Sequence, residues 1–202
     1  MISKAFFDNI DAVAEEKQLT REQVFEAFTE GLIAGCRRAH DVRSCRVEFR
    51  EERNEILVYK QYLVVDEPDL EADKTYSQME LHDAKKINSR IKVGDILEEK
   101  IDPKDFSHYA VRDFKSRLNE NLVKSQKENL YHHFKALEHE MITARVIDVQ
   151  DDHYRLDIGR DLTTLLPKKE ALPKDVFHTG DHVRVYVSDV EMKTKWPKVF
   201  VS

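Results

Sequence analysis

The chemistry this sequence offers lies in cations and aromatic rings rather than in nucleophiles. Toward the carboxyl end, Tyr154 and Arg155 precede a segment holding Lys168, Lys169 and Lys174, and a last loop holds Lys193, Lys195, Trp196 and Lys198. Ammonium and guanidinium groups neutralise phosphates while aromatic faces stack on bases, so this combination suits a single-stranded nucleic acid. The same residues also serve as half-buried rim and solvent cover, and composition does not choose between the two. Two further basic groups lie upstream. Arg37, Arg38, His40, Arg43 and Arg46 form one; Lys104, His108, Arg112 and Lys115, spaced by three and four, form the other. Arg37 and Arg38 at a helix end complement the negative pole of its macrodipole. The second set places a cationic stripe on a helix, suited to phosphate contacts, although Glu98, Glu99, Asp102 and Asp105 dilute its field.

Other chemistries are excluded by spacing. His132 and His139 lie two helical turns apart, or about 10 Å along the axis, too far for one ion to bridge. No H-E-x-x-H spacing occurs and no nucleophile with an adjacent base can be assembled, so neither a metal, a cofactor nor catalysis is expected. The glycines, Gly31, Gly35, Gly94, Gly159 and Gly180, cannot be arranged into a phosphate-cradling loop. A formal charge of −6 over 202 residues means that any polyanion must be bound through local patches. The longest run of apolar residues and glycine, Gly31 to Cys36, is far too short to span a bilayer, and acidic residues interrupt the first helix. A cytoplasmic protein without membrane association is expected, with Cys36 and Cys45 as reduced packing residues.

The elements that must position these groups follow from periodicity. Phe6, Ile10, Val13 and Lys17, then Val24, Phe28, Leu32 and Cys36, recur at helical spacing, and Thr20 with Gln23 makes a capping box between the two helices. Alternation in Cys45 to Phe49 and an apolar run from Ile56 to Val65 predict a hairpin. A short helix around Leu81 to Ile87 and a strand from Ile96 to Ile101 come next. Residues 104–138 contain neither glycine nor proline and read as one long helix, or two broken near Ser125. From Met141 five short strands, punctuated by Gly159, Pro167, Pro173 and Gly180, suit a Greek-key barrel of the OB type. The expected architecture is an α+β domain over residues 1–138, ending in a long connecting helix, followed by an all-β five-stranded OB barrel over 139–202.

Two stretches carry a family resemblance. I-D-P-K-D-F-S-H-Y-A-V-R-D-F-K-S-R-L-N-E, residues 101–120, resembles the P-x-x-F start of the long helix in the bacterial NusA family of transcription elongation, termination and antitermination factors. M-I-T-A-R-V-I-D-V, L-L-P-K-K-E-A-L-P, H-T-G-D-H-V-R-V-Y-V and V-F-V-S resemble that family's RNA-binding module, of the type repeated in ribosomal protein S-one. The V-D-E and V-G-D tags after the hairpin keep the same order, so the resemblance covers essentially the whole chain. His108 stands where the family usually has arginine and Arg112 where it has glutamine; Lys115 matches a basic position. The resemblance implies a monomeric factor that docks on RNA polymerase near the RNA exit channel. Arg37, Arg38, Lys104, His108, Arg112 and Lys115 would line the path of nascent single-stranded RNA, which the barrel also binds. Family members continue into two KH domains, so this chain is expected to be a fragment or to lack that part of the RNA surface. The alternative is a free-standing single-stranded RNA binder acting in translation or RNA processing.

Overall fold

The computed structural model describes residues 5–69, 75–172, 174–193 and 196–202. The chain forms two compact units that divide between Lys124 and Ser125.

In the first unit, α1 (Ala5–Lys17) and α2 (Arg21–His40) are separated by the predicted cap. The Thr20 hydroxyl accepts from the Gln23 N–H at 3.2 Å, and the Gln23 side-chain carbonyl accepts from the Thr20 N–H at 3.0 Å. Two otherwise unpaired donors at the helix start are thus satisfied reciprocally. β1 (Ser44–Arg50) and β2 (Glu55–Val65) make the expected antiparallel hairpin, and β4 (Ile96–Ile101) adds antiparallel to β2. β3 (Ser77–Glu80) runs parallel to β2 before α3 (Leu81–Ile87). Ser-Gln-Met-Glu holds one apolar residue, too little alternation to announce a strand. Cys36 and Cys45 are joined in a disulfide rather than reduced. The turn after α2 brings their Cα atoms within 6.7 Å, a separation a disulfide spans, and both side chains are buried.

Gly31 and Gly35, one turn apart on α2, explain how α4 (His108–Lys135) approaches it. A Cβ on Gly35 would lie 2.6 Å from the Phe106 ring, and one on Gly31 would lie 3.0 Å from the Phe114 ring. Larger side chains would force the two helices apart.

The second unit contains the end of α4 and five strands. These are β5 (Met141–Val149), β6 (His153–Asp157), β7 (Thr163–Pro167), β8 (His182–Glu191) and β9 (Lys198–Val201). They form one antiparallel sheet in the order β7-β6-β5-β8-β9. Thr164 on β7 donates its hydroxyl proton to the Val199 carbonyl on β9, so the sheet curls into the predicted barrel. Register shifts between Val146 and Asp148 and between Val187 and Asp189 supply local bends of the kind that curl a sheet. Inward residues Ala144, Val146, Leu156, Leu166, Val183, Val185, Val187, Val199 and Val201 fill the interior, each large aliphatic side chain worth about 1.5–3 kcal/mol on burial. α4 is unbroken, and Phe134, with Leu130 and Leu137, packs into this core. The end of α4 thus belongs to the second unit.

Candidate nucleic-acid interface

The first unit brings two of the basic groups together. Arg38, near the end of α2, and Arg112, on the first turns of α4, lie on the ring of Tyr109, with guanidinium carbons 5.9 and 5.6 Å from its centroid. Tyr109 is 62% exposed. Asp113, one turn after Tyr109, lies 3.8 Å from the Arg38 Nε and 3.7 Å from the Arg112 Nε. These distances make loose, exposed pairings of at most about 1 kcal/mol, so the guanidinium donors stay available to an incoming anion. Arg37 and Arg38 line a groove of about 420 Å³ with Asp41, Asp113 and Arg117. The close packing at Gly31 and Gly35 fixes this juxtaposition.

The start of α4 departs from the sequence reading. Pro103 to Asp105 form a separate 3-10 turn, capped when the Asp102 carboxylate accepts from the Lys104 N–H at 3.0 Å. α4 then begins afresh at His108, where the Ser107 hydroxyl accepts from the Ala110 N–H at 3.3 Å. Lys104 therefore does not belong to the helical stripe and lines another groove with Glu55, Lys100 and Asp102. His108, Arg112 and Lys115 remain, all exposed on one stretch of α4. Arg46 is committed elsewhere: its guanidinium makes two 2.7 Å hydrogen bonds to the Glu98 carboxylate and covers the Tyr59 ring at 4.5 Å. Those bonds hold the Glu98 carboxyl below the usual carboxylate range.

On the barrel the main correction is Tyr154. It is 4% exposed, faces inward with Leu156 and packs edge-on against Phe177 at 5.2 Å, so no base can stack on it. Lys168 covers that ring from outside, its Nζ 5.3 Å from the centroid. Arg155 faces out from β6, and Lys169 and Lys174 are exposed on the segment after β7. Trp196 is 43% exposed, with the Lys127 Nζ 6.0 Å from its ring centroid. Lys193 pairs with Glu191, which holds that carboxyl below its ordinary value. Lys198, opposite Glu191 on the neighbouring strand, reaches over Phe200 with its Nζ 4.6 Å from the ring centroid. Lys195 lies outside the described residues.

Sequence reasoning passed over Tyr109 although its signal was present. Ala110, Phe114 and Leu118 set the buried face of α4, which leaves Tyr109, Arg112 and Asp113 on the exposed side. Among the described residues, no group of three metal-ligating side chains converges and no helix is long and apolar enough to cross a membrane. The arrangement offers hydrogen-bond donors, positive charge and an exposed ring.

Comparison with known proteins finds relatives along the whole chain. The transcription termination/antitermination protein NusA of Halalkalibacterium halodurans is 27% identical over 203 aligned residues, taking in all of this chain and 52% of that protein. The Bacillus subtilis protein of the same name is 26% identical across the whole chain and 53% of its own length. The chain thus spans about half the length of these curated relatives. A solution structure of the N-terminal domain of NusA from B. subtilis aligns with 62% of this chain and 98% of its own, at 25% identity and a TM-score of 0.41. Residues 5–128, which hold α1 through most of α4 and the Arg38–Tyr109–Arg112 cluster, match the family described as the NusA N-terminal domain, and the chain belongs to that family.

Proposed function

We propose that this chain is the polymerase-docking and RNA-guiding part of a transcription termination and antitermination factor. The α+β unit would bind RNA polymerase near the RNA exit channel, and the barrel would bind emerging single-stranded RNA. The observation that carries the reading is the exposed Tyr109 ring held between Arg38 and Arg112. A ring flanked by guanidinium groups gives a base a face to stack on and its phosphates a counter-charge, the pairing used on single strands. Arg37 and Lys115 extend the cationic area, and the exposed His108 imidazole adds a polar group beside it. The names of the curated relatives, termination and antitermination proteins, support the same role.

The mechanism is electrostatic and steric. Cations would guide nascent RNA, favour hairpin formation in the exit path and lengthen pauses, with no bond made or broken. Because the overall charge is −6, binding would be local and salt-sensitive. The test is co-purification of the full chain with core RNA polymerase, followed by pause lifetimes on a hairpin-containing template. Retention on polymerase with lengthened pauses that shorten in R38A/R112A is the expected result. RNA binding without any polymerase retention would sink the reading and favour a free-standing RNA-binding protein.

A further inference from the structure

A second cationic and aromatic surface lies on the outer face of β5 and β8, away from the residues the sequence singled out. The antiparallel register places Met141 opposite Tyr186, Thr143 opposite Arg184, and Arg145 opposite His182. All six side chains point out because their neighbours Ala144, Val183, Val185 and Val187 fill the barrel. Rungs two residues apart are about 6.7 Å from one another, so the pairs form a straight strip across the barrel wall. Tyr186 is 37% exposed, and its ring stacks on His139 with centroids 6.2 Å apart and an interplanar angle of 29°. The His139 Nδ1 also lies 3.1 Å from the Tyr186 hydroxyl, while the stacking of the rings makes the pair one aromatic platform. Arg184 makes no ion pair among the described residues, while Arg145 lies 3.7 Å from the Asp157 carboxylate.

We propose that this face is a further binding surface for single-stranded RNA, on which Tyr186 stacks a base and Arg184, assisted by Arg145, holds the adjoining phosphates. Charge favours a polyanion: Arg184 makes no ion pair among the described residues, and the Arg145 pairing with Asp157 at 3.7 Å is loose enough to admit a phosphate. The half-exposed ring at one end favours a strand with free bases over a phosphate-only or duplex ligand. The inference rests on the reading that the barrel binds RNA.

The test uses the full chain and fluorescein-labelled dodecauridine, with anisotropy measured across a salt series. Tyr186→Ala should weaken binding at least about fivefold with the salt slope kept, and Tyr186→Phe should restore the affinity. Arg184→Gln should flatten the slope by about 0.7, the share of one phosphate on a single strand. Arg184 is exposed and makes no ion pair among the described residues, so this variant should keep the wild-type near-ultraviolet circular dichroism and serves even if Tyr186→Ala unfolds. Unchanged affinity and slope in a folded Arg184→Gln variant, alongside weakened binding in K168Q/K169Q, would overturn the inference and leave the proposed function standing. Absence of dodecauridine binding by the wild-type chain at low salt would remove both. If Arg184→Gln lost binding to polyglutamate while keeping dodecauridine, the face would belong to an acidic protein and the inference would fall.

Discussion

The α2–α4 junction and the barrel invert what their sequences advertise. The junction reads as cations alone, yet it presents the most exposed ring among the proposed contact residues, Tyr109, with two arginines on it. The barrel reads as cations interleaved with aromatics, yet Tyr154 belongs to its core and Lys168 only roofs it. The residue types are similar in the two places. What differs is the direction each backbone period imposes, and that decides which ring a ligand can reach.

The largest effect should come from the barrel core. Phe134 lies on α4 but is 1% exposed inside the second unit. Phe134→Ala should cost about 3–5 kcal/mol, because it removes a whole ring from a packed interior. Trp196 is the chain's single tryptophan, so its fluorescence during urea unfolding reports on this unit. A midpoint shifted by less than a tenth would mean that the helix end merely rests on the barrel, and the boundary at Lys124/Ser125 would lose its physical basis.

Next comes the junction itself. Gly35→Val places a branched side chain where even a Cβ would lie 2.6 Å from Phe106, and overpacking of this kind costs about 1–3 kcal/mol. The variant should also separate Arg38 from Tyr109, so RNA affinity should fall together with the thermal midpoint. Stability lost with affinity kept would show that the cluster does not depend on the helix contact. Directly at the surface, Tyr109→Ala should weaken dodecauridine binding by about 1–3 kcal/mol while leaving the thermal midpoint within about a degree. Tyr154→Ala should do the reverse, with stability lost first and affinity falling only as the barrel unfolds. Equal effects of the two variants on affinity in the folded state would erase the contrast between the regions.

Much of this was legible in the residues. The capping box at Thr20, the hairpin and the strand at Ile96–Ile101 follow directly from local spacing. The inward direction of Tyr154 was legible too, since it shares the parity of Leu156 and Ile158. A stacking role required reading its type before its position. The unforeseen features are those that depend on distant partners. β3 is a strand because β2 offers a free edge, Cys36 and Cys45 meet because a turn folds back, and Lys104 leaves the helix because Asp102 caps a separate turn. Arg38 and Arg112 are far apart in the chain, and only the glycine-lined helix contact puts them on the same ring.

The smallest expected effect separates the units by pH. Burial, reinforced by the Arg160 guanidinium, pushes the His133 imidazole below its ordinary value of about 6.5. The folded second unit therefore prefers neutral His133, whereas the unfolded chain takes up a proton as pH falls through about 6.5. Its contribution is fully present above that pH and is lost progressively as pH falls toward the lower folded value. The carboxyls held low by their partners, Glu98 in the first unit and Glu138 and Glu191 in the second, act in a more acidic window and stay ionised in both states near neutrality. Between pH 5.5 and 7.5 the urea midpoint followed by Trp196 should therefore rise with pH, and His133→Gln should flatten that rise. An unaltered rise in His133→Gln would assign the dependence to another group and place His133 in a better solvated position than its packing at the end of α4 implies.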